Sequence, residues 1–207
     1  MSLYGLVICG GESTRMGTDK SLLVYYQKPQ HEHVADLLAP LCEHVILCCN
    51  AAQHRTFRTS YPKLADLPEY AGAGPMTGLL TAFETFPGND FIVAGCDYPY
   101  LTTDELAIFL HSIDKDLPAA AFYNPDGFYE PLLGWYSRSV RNALLQYFKN
   151  GSRSLQRFLM AENAEKYRPK SGQTMLSVDT MDDFRAVKQA LEAANDFLHG
   201  DQLDNQP

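Results

Sequence analysis

Leu3-Tyr4-Gly5-Leu6-Val7-Ile8-Cys9 runs directly into Gly10-Gly11-Glu12-Ser13-Thr14-Arg15-Met16-Gly17-Thr18-Asp19-Lys20, and this junction decides the fold. A short apolar run that stops at paired glycines predicts a buried strand feeding a loop. Such a loop stands at the carboxyl edge of the sheet, where open α/β folds bind their ligands. Its glycines let the backbone approach a phosphate closely and aim N–H groups at it. Arg15 and Lys20 bring positive charge to the same place. Two familiar phosphate loops fail on spacing: a dinucleotide fingerprint needs G-x-G-x-x-G, and Walker A needs glycine directly before the lysine. Here Gly17 lies three residues before Lys20.

Outward from the loop, strand and helix signals alternate. Residues 33–41 set Val34, Leu37, Leu38 and Leu41 at helical spacing, with Pro40 in the last turn. Residues 45–49 read as a second buried strand with Asn50 just past its end. Leu64 lies in a weak strand ending near Asp66, and residues 75–86 look helical. Residues 90–95 hold Phe91-Ile92-Val93-Ala94, another buried strand. Thr102 and Glu105 have capping-box spacing ahead of Leu106, Phe109, Leu110 and Ile113. This alternation predicts an α/β fold with a largely parallel sheet.

The second half reads differently. Residues 119–123 and 128–136 are extended segments around the turn Asp126-Gly127, with Pro131 marking the second as an edge strand. A helix over 140–148, a polar loop over 150–154 and a short strand over 175–178 follow. The last helix carries Phe184, Val187, Leu191 and Leu198 on one face. One domain over 1–198 and a polar, disordered tail over 199–207 are expected.

Composition narrows the function. The 207 residues are 45% hydrophobic and carry a formal net charge of −8, which excludes non-specific nucleic-acid binding. No apolar stretch is long enough to cross a membrane, and no basic region precedes the first apolar run as in a signal peptide. The five cysteines form no C-x-x-C pair, so free thiols and a cytoplasmic location are expected. His31-x-His33 has no nearby partner ligands and reads as structural. The aromatic run Phe122, Tyr123, Phe128, Tyr129, Trp135 and Tyr136 reads chiefly as strand and core packing, with some of it open to a pocket.

The loop fills every fixed position of G-G-x-S-x-R-M-G-x-D-K, the signature of the molybdenum cofactor guanylyltransferase family and its nucleotidyltransferase relatives, and so resembles that family. The likeness covers most of the chain. Lys28-Pro29 resembles a G-K-P segment with Gln27 in place of glycine. Gly74-Pro75-Met76-Thr77-Gly78 resembles G-P-x-x-G, and Cys96-Asp97-Tyr98-Pro99 resembles C-D-x-P. Ser177-Val178-Asp179-Thr180 resembles N-x-N-T, with Asp179 in place of asparagine.

The resemblance implies a three-layer αβα sandwich, Rossmann-like and akin to nucleotide-diphospho-sugar transferases. It implies magnesium-dependent transfer of GMP from GTP to the terminal phosphate of molybdopterin. By position, Gly10, Gly11, Ser13, Arg15, Gly17 and Lys20 would bind the triphosphate, with Arg15 and Lys20 catalytic. Asn50, Asp66, Gly74 and Gly78 would contact the guanosine. Asp97 would be catalytic and hold the metal.

Each assignment has a plainer counterpart. Asp97 also suits a cap on the turn at Pro99, and Asn50 and Asp66 suit turns. Asp179 could give a second metal contact or begin the last helix with Thr180. Arg153 and Ser154 resemble a small loop near the acceptor phosphate, while Arg138 and Arg157 are further cations; exposed arginines are ordinary. A molybdoenzyme or a molybdopterin-delivering protein is the implied partner. The alternatives are cytidylyl transfer to the same pterin, transfer to a sugar phosphate, and a nucleotide-binding regulator without turnover.

Overall fold

The computed structural model describes residues 2–9 and 16–200, with helix backbone alone from 195 to 200. Seven strands form one sheet: β1 Leu3–Ile8, β2 His44–Cys49, β3 Lys63–Ala65, β4 Asp90–Gly95, β5 Ala119–Tyr123, β6 Tyr129–Tyr136 and β7 Glu165–Tyr167. The helices are α1 Gln30–Leu38, α2 Ala51–Thr56, α3 Pro75–Thr85, α4 Thr103–Ser112, α5 Arg141–Lys149, α6 Leu155–Ala161 and α7 Met181–Gly200.

The strand order is β3-β2-β1-β4-β6-β5-β7. β1 pairs in parallel with both β2 and β4, β2 with β3, and β5 with β7, whereas β6 runs antiparallel to β4 and β5. The sheet is therefore mixed but mostly parallel, and the fold is α/β in three layers. Alternating side chains split the core. Leu6 and Ile8 face a cluster with Leu79 and Phe83 of α3, Leu144 of α5 and Phe158 of α6. Val7 faces the opposite cluster, with Val34 and Leu38 of α1 and Leu106 and Phe109 of α4. Both sides of every central strand are covered, which is why β1, β2 and β4 read as continuous apolar runs.

Chain order reverses at β1, which feeds β2 on one side and lies beside β4 on the other. Ligands of open α/β sheets settle at the carboxyl ends of strands at such a switch point. Ile8 is in register with Gly95. The chain leaving β1 toward the glycine-rich loop and the chain leaving β4 toward Asp97 thus emerge side by side.

Several expectations are corrected. Residues 175–178 form no strand: a 3-10 turn over Gly172–Met175 leads into an extended segment whose Val178 N donates to Asp97 O at 2.9 Å. The seventh strand is Glu165–Tyr167, which pairs with β5. Pro131 does not mark an edge, because β6 lies between β4 and β5. It is tolerated because the β5 partners jump from Gly134 to Glu130 in a bulge, while the β4 ladder reaches only Leu133. Glu105 bonds Tyr167 Oη (2.6 Å) rather than closing a capping box with Thr102. The last helix runs to Gly200, two residues past the boundary expected at 198, and 201–207 lie outside the described residues.

Candidate active site

The loop becomes describable at Met16, whose buried side chain packs with Leu23, Tyr25, Val178 and Val187. Gly10, Gly11, Ser13 and Arg15 lie outside the described residues. From Gly17 onward the chain is fixed by a polar network. Asp19 Oδ1 accepts from Ser21 N (3.0 Å) and Ser21 Oγ (2.6 Å), which starts the 3-10 turn Lys20–Leu22. Asp19 Oδ2 accepts from Gln53 Nε2 at 2.8 Å. The same nitrogen donates to Cys9 O (3.0 Å), and Gln53 Oε1 accepts from Asn50 N (3.0 Å). One buried glutamine thus joins the end of β1, the loop and the start of α2. On the other side, His31 Nδ1 donates to Ser21 O at 2.8 Å, and the imidazole stacks on Phe57. A carbonyl only accepts, so Nδ1 carries the proton. His31 is structural, as its lack of neighbouring ligands implied.

This network delivers Lys20 to the rim of the sheet. Its Nζ lies 2.6 Å from Asp179 Oδ1, an ion pair in which the aspartate is the more exposed partner. Asp179 is free for that contact because the last helix is capped without it. Asp183 N donates to Thr180 Oγ1 (3.1 Å), and Thr180 N donates back to Asp183 Oδ2 (2.9 Å). The bond from Val178 N to Asp97 O then ties this segment to the end of β4. Lys20, Asp179 and Asp97 therefore share one corner of the molecule.

Asp97 folds back over its own strand. A Cβ on Gly95 would lie 2.5 Å from Asp97 Oδ1, so the carboxylate rests in the space that a larger residue at 95 would take. That oxygen is buried and has no hydrogen-bond partner. Burial pushes the carboxyl up to about 6, the Lys20 charge pulls it down, and Asp179 and Glu130 push it up. A shielded carboxylate oxygen without a donor is an acceptor waiting for a cation. Among the described residues no group of three or more His, Cys, Asp or Glu could hold a metal. Two carboxylates completed by phosphates and water suit magnesium, which rarely takes an all-protein cage.

Beside β1 and away from β4 opens a cleft of about 710 Å³, lined by Ile8, Cys48, Asn50, Asp66, Gly74 and Gly78 among others. Gly78 forms the floor: a Cβ there would press to 2.9 Å from Ile8 Cδ1 and 3.1 Å from Cys48 Cβ, so α3 packs this close only through glycine. Gly74 precedes the first residue of α3. Asp66 directly follows β3 and lines the cleft, and burial pushes its carboxyl up to about 6. Asn50 Oδ1 accepts from Ala52 N (2.9 Å) and Gln53 N (3.0 Å), capping α2. The cap commits the oxygen and leaves the Nδ2 donor.

Four of the expected residues, Asn50, Asp66, Gly74 and Gly78, thus line one cleft, and three others, Lys20, Asp97 and Asp179, gather in a separate cluster at one corner. Arg138 and Arg153 do not join them. Arg138 N bonds Asp90 Oδ1 (2.8 Å) at the start of β4, the opposite rim. Arg153 Nη1 donates to Phe148 O (2.7 Å) and Ser152 O (2.9 Å), its guanidinium lying over the Phe148 ring. Ser154 caps α6 by accepting from Arg157 N. Gln53 went unnoticed in the sequence, although Asn50-x-x-Gln53 has the capping-box spacing that could have found it.

Residues 5–166 match the family described as MobA-like NTP transferase domain. The chain is 39% identical over 137 residues to a molybdenum cofactor biosynthesis bifunctional protein of Synechocystis, a match covering 65% of this chain and 39% of that protein. It is 29% identical over 166 residues to a molybdenum cofactor guanylyltransferase of Pasteurella multocida, covering 79% of this chain and 87% of that one. In structure it resembles a molybdopterin-guanine dinucleotide biosynthesis protein A of Archaeoglobus fulgidus. The TM-score is 0.75 at 21% identity, over 92% of this chain and 99% of that one.

Proposed function

The chain belongs to the MobA-like NTP transferase family, and on that premise we propose that it transfers GMP from GTP to the terminal phosphate of molybdopterin, releasing pyrophosphate. The observation that carries the reading is the register of Ile8 with Gly95, which sets the exits of the glycine-rich loop and of Asp97 next to each other, with Ile8 itself lining the cleft. The names of the relatives from Synechocystis and Pasteurella multocida support the same chemistry.

An acceptor phosphate oxygen attacks the α-phosphorus of GTP, the bond to the bridging oxygen of the β-phosphate breaks, and pyrophosphate leaves. Charge spreads over the phosphate oxygens along this path, so the protein chiefly positions groups and neutralises charge. Lys20 is the cation held at the rim for that purpose, with Arg15 its sequence neighbour in the same loop. Asp97 and Asp179 would hold magnesium, the former through its unpartnered Oδ1. Bound there, the ion neutralises phosphate charge. At neutral pH Asp97 is mostly ionised, as a metal ligand must be.

The cleft takes the guanosine. Guanine presents two kinds of N–H donor, N1–H and the 2-amino group, and Asp66 is an acceptor facing the cleft. Cytosine presents only its 4-amino donor, so this carboxylate favours guanine. The five free cysteines fit a reducing cytoplasm, and no described helix is long and apolar enough to cross a membrane. The reading is tested by the thermal shift with magnesium and each of GTP, CTP, ATP and UTP, since binding to the folded state raises the midpoint. GTP should give the largest shift; a larger shift with CTP contradicts the guanylyl assignment.

A further inference from the structure

The chain that follows the Lys20 turn is stitched to the end of β4 on two sides. Leu23 leaves the turn with an extended backbone, and burial alternates after it: Leu23 and Tyr25 are buried, Tyr26 is exposed. On the outer side Tyr26 Oη donates to Pro99 O at 2.8 Å, two residues beyond Asp97. On the inner side Tyr25 packs with Val178, whose N donates to Asp97 O. The Tyr25 ring also meets Phe184 of α7 edge-on, with centres 5.0 Å apart.

These contacts account for the ring but not for its hydroxyl. Tyr25 is 4% exposed, and its Oη is buried with no hydrogen-bond partner. A buried phenol normally finds one, and phenylalanine would pack here as well. Burial, then the charges of Asp97 and Asp183, push the phenol's pKa up, so the group is a neutral donor. Asp183 is already engaged, its Oδ2 accepting from Thr180 N (2.9 Å) and Asp179 N (3.3 Å). Asp97 Oδ1 is the buried acceptor left without a donor. One corner thus holds an unspent donor and an unspent acceptor that do not bond each other directly.

We propose that Tyr25 is a positioning residue for Asp97: through a water shared between them, its hydroxyl supplies the hydrogen bond that fixes this carboxylate for magnesium. The inference rests on the transferase reading above, in which Asp97 holds the ion. Carboxylates that bind metals are themselves held by hydrogen bonds from outside the metal's own ligands. Magnesium keeps several of its waters, so a water for the bridge is at hand. Tyr25 stands five residues beyond Lys20, outside the glycine-rich signature, which makes this a feature of the chain rather than of the motif.

The test is calorimetry of the full chain with GTP, once in EDTA and once with saturating magnesium. The wild type should bind GTP more tightly with the metal, and Asp97→Asn should lose that gain. Tyr25→Phe, which keeps the ring, should bind about tenfold more weakly than the wild type with magnesium and equally well in EDTA. Its metal-free melting temperature should equal or exceed the wild type's, because an unpaired buried hydroxyl is gone. A full metal gain in Tyr25→Phe would overturn the positioning role and leave the transferase reading intact. An equal loss with and without magnesium would also overturn it, since the tyrosine would then serve packing alone. No metal gain in the wild type sinks the assignment of Asp97 beneath it, and no GTP binding at all sinks the transferase reading.

Discussion

Lys20 Nζ and Asp179 Oδ1 lie 2.6 Å apart, so the lysine assigned to the triphosphate is ion-paired to a carboxylate of the same chain. Asp179 occupies a place that triphosphate oxygens compete for, and magnesium offers it another partner. Asp179→Asn should therefore tighten GTP binding in EDTA, by up to about fivefold for an exposed ion pair. The same variant should need more magnesium for turnover. Calorimetry with and without the metal checks both, and unchanged metal-free affinity would mean that the pair does not restrain Lys20.

Asp97 carries an opposite bargain between stability and function. Its carboxyl is pushed from an ordinary 3.8 to about 6. Because the folded value is raised, the group's favourable contribution is complete below about pH 4 and is lost as pH rises through 6. Metal-free Asp97→Asn should match the wild type in melting temperature near pH 4. It should then exceed it by about 5 °C above pH 7, while losing turnover. A midpoint difference that stays constant across this range would show that burial of the charge is not what raises its pKa.

Asp66 makes a prediction about binding rather than stability. Its carboxyl is also pushed up to about 6, by burial at the edge of the cleft. Below that pH it is protonated and a poorer acceptor, so GTP affinity should fall as pH drops through 6. Asp66→Ala should cost about tenfold in GTP affinity and remove most of this fall. A variant that retains the wild-type profile would place base recognition elsewhere.

Gln53 tests the frame. It is buried and satisfies Cys9 O, Asp19 Oδ2 and Asn50 N at once. Gln53→Leu leaves those groups unpaired, a loss of about 2–3 kcal/mol, or roughly 4–10 °C in melting temperature. KM for GTP should rise as the Lys20 turn loosens. A large thermal loss with unchanged KM would restrict Gln53 to folding.

What could be read in the sequence followed from burial. β1, β2 and β4 are covered on both faces, so each is an unbroken apolar run, and Asn50, Asp66 and Asp97 were legible as strand-end residues. The edge strand Glu165–Tyr167 is short and polar, as edges that resist aggregation are, and left no such run. Residues 175–178 carry strand-like residues yet pair with no strand: Val178 is buried against Met16, Leu23 and Tyr25 and donates its N to Asp97 O, tertiary contacts that no local pattern encodes. Pro131 misled because a bulge, set by the partner strand, excuses its missing donor. Phe128 looked like one more core aromatic but is 51% exposed beside its turn, which alternation alone does not tell.

The most direct measurement is pyrophosphate release from α-labelled GTP with magnesium and molybdopterin, comparing the wild type with Lys20→Ala. The wild type should form labelled dinucleotide and pyrophosphate in equal amounts, and the variant should be slower by about 10²–10³-fold, as when one charge-stabilising donor is removed. Near-normal turnover without the Lys20 amine, or label transfer only from CTP, would contradict the account.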